Sequence, residues 1–319
     1  MIELVDVSKK YVIKKRTLFN KKEQEKLAVD KINIKIEKGK IIGLLGINGA
    51  GKSTTIKIIS SLISPTSGEI YLNNTCVTKN PKKLKDITNV ILGGEKNLYW
   101  RLTARENLRY FGSLYNIKSK ELDKRIDELL HFVELENYNN LNVEKYSKGM
   151  KQRLQIARGL INDPEFILLD EPTIGLDITF AKEVRSYIKK LVKKENKGVL
   201  LTSHYISEVE ELCDYIYILS NGKIVFEGTS EEIKKIGNTK KEIEIACEDI
   251  DKVINLIDKK VDIKKIGSNR IIISNVDNYQ EIIDYLFQNK CRIIEFKILE
   301  QSLEDSLLLI FGGEYNALL

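Results

Sequence analysis

The run Gly46-Ile47-Asn48-Gly49-Ala50-Gly51-Lys52-Ser53-Thr54 fits the spacing GxxxxGKS/T, which can wrap a phosphate chain. Glycines let successive backbone N–H groups curl around phosphate oxygens, and a helix beginning at the end of the run adds its partial positive charge. Lys52 is placed to neutralise the β and γ phosphates, and the Ser53 hydroxyl to hold Mg²⁺. A glycine turn that fits by accident would not explain the flanks. Ile41-Ile42-Gly43-Leu44-Leu45 reads as a short strand covered on both faces, and 54–62 reads as a helix.

A second constellation is Phe166-Ile167-Leu168-Leu169-Asp170-Glu171. Four apolar residues form a central strand, and two carboxylates emerge at its C-terminal end, the edge where open α/β sheets bind ligands. Asp170 can orient Mg²⁺ through water. Glu171 can polarise the water that attacks a γ-phosphate, or act as its base. An apolar strand ending in Asp-Glu says little alone; beside the phosphate loop it points to nucleoside triphosphate hydrolysis.

Between these motifs, Tyr146-Ser147-Lys148-Gly149-Met150-Lys151-Gln152-Arg153 opens a helical pattern over 148–161. Ser147 is a good helix N-cap. The segment also resembles the LSGGQ-like signature that separates ABC ATPases from other P-loop enzymes. Lys148 replaces the first glycine of the usual pair, and Met150 the usual Gln. On these motifs residues 1–235 resemble the ATP-binding cassette of ABC transporters, and the C-terminal part is similar to the extension of multidrug, antibiotic and lipid exporters.

The resemblance implies an ATP-binding and ATP-hydrolysing subunit that uses ATP and Mg²⁺. It implies nucleotide contacts for Gly46, Asn48, Gly49, Ala50, Gly51, Lys52, Ser53 and Thr54, and metal contacts for Ser53 and Asp170. Ser147 and Gly149 would bind the γ-phosphate of ATP held by a second subunit. Ile174-Gly175-Leu176-Asp177 resembles the D-loop, which adds Asp177 to the site. Leu201-Thr202-Ser203-His204 resembles the switch segment, with His204 on the γ-phosphate as a catalytic residue beside Glu171 and Lys52. Tyr11 resembles the aromatic residue that stacks on adenine; an ordinary core or loop tyrosine is the alternative. The implied partners are a separate polytopic transmembrane subunit and a second cassette, expected to be an identical chain, with no nucleic acid. The implied location is cytoplasmic, on the inner face of the cell membrane.

One position departs from the family pattern. Aligned on Leu102-Thr103 and Glu106-Asn107-Leu108, the usual Gln of the loop before the helical subdomain falls on Gly94, which has no side chain to offer a metal or water. Glu95 and Asn97 are the nearby substitutes. Trp100 and Arg101 stand where the family contacts its membrane subunit, although Trp100 equally suits half-buried packing.

Stepwise periodicities supply the elements that must hold these residues. Ile2 to Val7 reads as a strand, the Lys-rich 14–26 as an inserted loop, and 28–37, which alternates apolar and polar through Val29, Ile32, Ile34 and Ile36, as an antiparallel strand. Apolar residues recur at helical spacing over 103–132. Val199–Thr202 and Ile216–Leu219 read as further buried strands. The fold expected is therefore α/β, a P-loop NTPase core with antiparallel and helical subdomains, the latter over about 95–162. Beyond Gly237-Asn238-Thr239 a βαββαβ order suggests a small ferredoxin-like α+β domain, dividing the chain into 1–236 and 238–319.

Composition fits this reading and excludes others. Hydrophobic residues are 42% and charged residues 31%, a globular profile with a sufficient core. The net charge of +6 suits an anionic ligand or membrane surface, or simply a lysine-rich wet surface. No basic start precedes an apolar run, so no signal peptide is expected, and no stretch approaches a membrane span. Cys76, Cys213, Cys247 and Cys291 form no CxxC pair, which argues against zinc and disulfide frameworks and fits a reducing compartment. A soluble ABC ATPase of DNA repair or translation is the alternative. The short interval from Lys52 to Ser147 leaves no room for the coiled coils of chromosome-type relatives, and the single cassette differs from translation-type ones.

Overall fold

Buried residues on the central strands alternate between two cores. On β3 (Ile41–Gly46), Ile41 joins one core while Ile42 and Leu44 join the other. On β7 (Phe166–Asp170) the same split puts Ile167 and Leu169 on one side and Phe166 and Leu168 on the other. Period-two side chains on a strand covered on both faces dictate this division, and it explains the unbroken apolar runs. The computed structural model describes all residues except 18–19, 93–96, 204–205, 236–240, 258–260, 277–278, 300–302 and 312–319.

The chain divides into two compact units, Met1–Ser230 and Glu231–Ala317. The 236–238 boundary read from the sequence lies within residues outside the described set. In the first unit, β1 (Ile2–Thr17) and β2 (Asn20–Ile36) form a long antiparallel hairpin, joined by β4 (Ser67–Leu72) and β5 (Thr75–Cys76) in the order β2-β1-β4-β5. The second sheet adds β6 (Thr88–Leu92), β8 (Gly198–Thr202), β9 (Tyr215–Ser220) and β10 (Lys223–Gly228), in the order β10-β9-β3-β8-β7-β6. All its pairings are parallel except β10 on β9.

The helices of this unit are α1 (Lys52–Ile59), α2 (Pro81–Ile87), α3 (Ala104–Ser113), α4 (Ser119–Phe132), α5 (Lys148–Leu160), α6 (Ile178–Glu195) and α7 (Ile206–Leu212). Thr103 starts α3 with a full capping box, its hydroxyl accepting from the Glu106 N–H while the Glu106 carboxylate accepts from the Thr103 N–H at 2.8 Å.

Three expectations are corrected. The Lys-rich 14–26 is not a loop: Lys10 pairs with Leu27, and the register continues to Thr17 opposite Asn20. Val12 and Leu27 are exposed there, and the sequence from 14 to 26 carries no apolar alternation to read. The helical run over 103–132 is two helices broken at Asn116, which takes a left-handed φ of 57°. Leu108 of α3 and Leu122 and Ile126 of α4 face the same core, so the apolar spacing carries across the turn that separates them. Helix α1 begins at Lys52, not Thr54, because Gly51 serves as its N-cap, and it ends at Ile59.

The second unit contains α8 (Ser230–Lys234) from its edge onward, then β11 (Lys241–Cys247), α9 (Ile250–Leu256), β12 (Asp262–Ile266), β13 (Arg270–Val276), α10 (Tyr279–Gln288), β14 (Ile293–Leu299) and α11 (Leu303–Phe311). Its sheet order is β12-β13-β11-β14, antiparallel throughout, the arrangement of a split βαβ fold. Ile243, Ile245, Ile271 and Ile273 are fully buried at its core.

Candidate functional site

Backbone crowding shapes the loop between β3 and α1. A Cβ at Gly46 would lie 2.3 Å from the Leu219 carbonyl oxygen, and one at Gly51, whose φ is 115°, 2.5 Å from that of Ala28. Side chains are excluded at both positions. At Gly49 an added Cβ would meet nothing within 4 Å, so the loop is open on the side away from the core. Helix α1 has no side-chain cap and no acidic residue in its first turn. Its leading N–H groups and its positive dipole end therefore remain available to an anion.

Lys52 completes this cradle. It is 7% exposed, and its ammonium donates to the carbonyls of Gly46 at 2.5 Å and Ile47 at 3.2 Å. Burial pushes its pKa below the usual lysine range, and the carboxylates of Glu171 and Asp170 oppose that shift. A desolvated cation held by loop carbonyls beside the uncapped start of α1 has the chemistry to receive a polyphosphate.

The two carboxylates sit where the sheet positions them. Asp170 is aligned with Thr202 on β8 and accepts the Thr202 hydroxyl at 2.7 Å. Glu171 follows in left-handed backbone, φ 54°, held by its N–H donating to the Thr202 carbonyl at 3.0 Å. Such a conformation costs a non-glycine residue about 1–3 kcal/mol, and it recurs at functional positions. Here it turns Glu171 into a cavity of about 250 Å³ shared with Asn48, Gly49, Gly51, Lys52, Ser53 and Thr54. Tyr11 and Lys26 line the same cavity from the hairpin, with Tyr11 37% exposed. Gly46 and Ala50 shape the loop from behind, Ala50 being buried in the core.

Ser147, Gly149 and Asp177 are not part of that cavity. Ser147 caps α5, its hydroxyl accepting from the Met150 N–H at 3.2 Å. Asp177 caps α6 by accepting from the Phe180 N–H at 2.9 Å, and ion-pairs with Arg153 at 3.2 Å. The Phe180 hydrogen bond is the main reason its carboxyl is held below the ordinary range. A Cβ at Gly149 would lie 3.7 Å from the Gly175 carbonyl oxygen, so the two caps lie side by side. His204, Gly94 and Glu95 lie outside the described residues. Asn97 has a left-handed φ of 74°. Trp100 is half exposed, with the Lys151 ammonium 4.7 Å from its ring centroid.

Some contributing residues escaped the sequence reading. Thr202 orients Asp170, and only its position on the strand beside β7 could have flagged it. Asn107 is fully buried and bonds the Tyr99 and Thr103 carbonyls and the Tyr99 N–H, fixing the loop before α3. Gln152 is 1% exposed and donates to the Pro172 carbonyl at 2.9 Å, tying α5 to the turn after Glu171. Gln152→Ala should cost about 1–3 kcal/mol of stability, because the carbonyl loses a buried donor. It should also slow ATP turnover. Chemical denaturation and a phosphate-release assay read the two effects.

Comparison with known proteins agrees with this geometry. A sequence profile of the ABC transporter family matches residues 29–174. The ABC transporter ATP-binding protein NatA of Bacillus subtilis (strain 168) is 41% identical over 233 residues, covering 73% of this chain and 91% of NatA. The chain belongs to the ATP-binding proteins of ABC transporters. The bacitracin transport ATP-binding protein BcrA of Bacillus licheniformis is 36% identical over 291 residues, 90% of this cassette chain and 93% of BcrA. The solved dimeric structure of the ATP-binding cassette MJ0796 in a post-hydrolysis state, bound to ADP and Pi, superposes with a TM-score of 0.64 at 30% identity. It covers 72% of this chain and 98% of that one. The protein is thus an ABC cassette that binds and hydrolyses ATP as a transporter subunit. No helix among its described residues is long and apolar enough to cross a membrane.

Proposed function

We propose that this cassette powers an exporter by closing, as a homodimer, on two molecules of ATP. The observation that carries this reading is the separation of the site into two halves. One cavity gathers Lys52, Ser53, Glu171 and Tyr11, while Ser147, Gly149 and Asp177 form a different surface. Each half offers groups suited to phosphate, and neither is complete. A second copy supplies the missing half: Ser147 and the N-terminus of α5 meet the γ-phosphate held by the first copy's loop.

Within each site, the N–H groups of the loop and Lys52 hold the phosphates, and Tyr11 stacks on the base. The donor set suits Mg²⁺, a cation that keeps several waters and takes few protein ligands. Ser53 and Asp170 would hold it, the latter oriented by Thr202, and the ion would neutralise charge on the β and γ phosphates. Glu171 polarises the attacking water or takes its proton, and His204 contacts the γ-phosphate.

Export, with a separate polytopic membrane subunit, is supported by names among the relatives: BcrA is a bacitracin transport protein, and the daunorubicin resistance protein DrrA3 of Streptomyces coeruleorubidus is 35% identical over 214 residues. The cassette then sits on the inner face of the membrane. Co-purification tests this: a polytopic membrane protein should accompany the tagged chain from mild detergent and stimulate its ATPase activity. Isolation of the fully active chain with no membrane protein would argue for a non-transport ATPase.

The C-terminal domain, 238–319, serves dimer contacts or regulation in this reading. A chain ending at residue 236 should retain ATP binding, since Lys52 and Glu171 precede the cut, but show altered dimerisation or transport. Loss of ATP binding in a truncated chain that circular dichroism finds folded would refute this division.

A further inference from the structure

One buried carboxylate is not used by the nucleotide cavity. Glu208, on α7, is 3% exposed. Ser203, also 3% exposed, lies at the end of β8 next to His204 in the chain, and its hydroxyl donates to Glu208 Oε2. Thr173, two residues beyond Glu171, turns its hydroxyl toward the same carboxylate. Oε1 is buried without a hydrogen bond. Burial raises the Glu208 pKa; Ser203, Thr173 and Arg185 oppose that rise, and Glu211 adds to it.

A buried carboxylate is costly, and an apolar residue would pack the same space more favourably. What a carboxylate adds is acceptor capacity: Oε2 takes the Ser203 hydroxyl, and the Thr173 hydroxyl lies close enough to favour the charged form. The two segments involved are those that lead from the strands carrying Asp170 and Thr202. They are already joined by the Glu171 N–H to the Thr202 carbonyl and by the Thr202 hydroxyl to Asp170. Glu208 extends this seam one step further from the sheet, to Ser203 on one side and toward Thr173 on the other.

We propose that Glu208 is a positioning residue for ATP hydrolysis, fastening the end of β8 at Ser203 beside the turn at Thr173 so that Glu171 approaches the γ-phosphate in one fixed geometry. This rests on the role proposed above for Glu171. Glu208 makes no contact with ATP itself, so its loss should appear in the rate of the chemical step and not in nucleotide affinity.

The test uses the full chain carrying Glu208→Gln, Ser203→Ala or both, with ATP dissociation constant, kcat and melting temperature measured for each. Each single variant should keep ATP affinity within about twofold and lose at least about tenfold in kcat. The double variant should be no slower than the slower single, because both changes break one bridge. Folded single variants with wild-type kcat would overturn the proposal. So would parallel losses of affinity, kcat and melting temperature, or failure of both variants to fold, since these mark general packing. Glu171→Gln run alongside separates the two levels. Slow Glu171→Gln with normal Glu208→Gln removes only the bridge, whereas normal Glu171→Gln turnover removes the site reading and the bridge with it.

Discussion

Lys52→Ala is expected to reduce ATP affinity at least about 100-fold, to the point where calorimetry detects little binding. The ammonium is almost fully buried and donates to the loop carbonyls of Gly46 and Ile47. Removing it leaves phosphate charge in a partly desolvated cradle without its buried ammonium. Truncating one partner of such a charge pair costs about 2–5 kcal/mol, which corresponds to the expected loss. The fold should survive, because Lys52 begins a helix and alanine is the best helix former. Wild-type affinity in the folded variant would falsify the assignment of this loop.

Glu171→Gln has the second large effect. Glutamine keeps the shape and the left-handed turn intact, and loses both the proton-accepting oxygen and the negative charge that polarises water. Turnover should fall at least about 100-fold, the usual scale for a positioned base. ATP affinity should hold or rise, since a carboxylate near the γ-phosphate is replaced by a neutral group. Single-turnover phosphate release measures the first effect, and calorimetry the second. Normal turnover would assign Glu171 to support of the backbone alone.

Much of the architecture could be read from the residues because its causes are local. A glycine-rich loop between a buried strand and a helix, and an apolar strand ending in two carboxylates, both follow from what the chemistry requires within a few residues. The antiparallel register of Ile32, Ile34 and Ile36 follows from period-two burial, and all three are fully buried. Where the sequence misled, the signal was non-local. The hairpin extension around Lys10 and Leu27 is held by cross-strand pairing, which leaves no trace in polarity. The break at Asn116 hides inside a continuous apolar spacing because both helices face one core. Thr202 and Gln152 act through partners 20 or more residues away, and a single sequence does not display such pairs.

In the reading proposed here a second copy completes the nucleotide site, with Lys52 of one chain and Ser147 of the other serving one phosphate. That claim is tested most directly by light scattering on the Glu171→Gln chain, with and without ATP and Mg²⁺. Slow hydrolysis should hold the closed form long enough to weigh it. The mass should be 36.6 kDa without nucleotide and twice that with it, and Ser147→Arg in the same background should abolish the doubling. A chain that binds ATP and stays at 36.6 kDa would contradict the shared site.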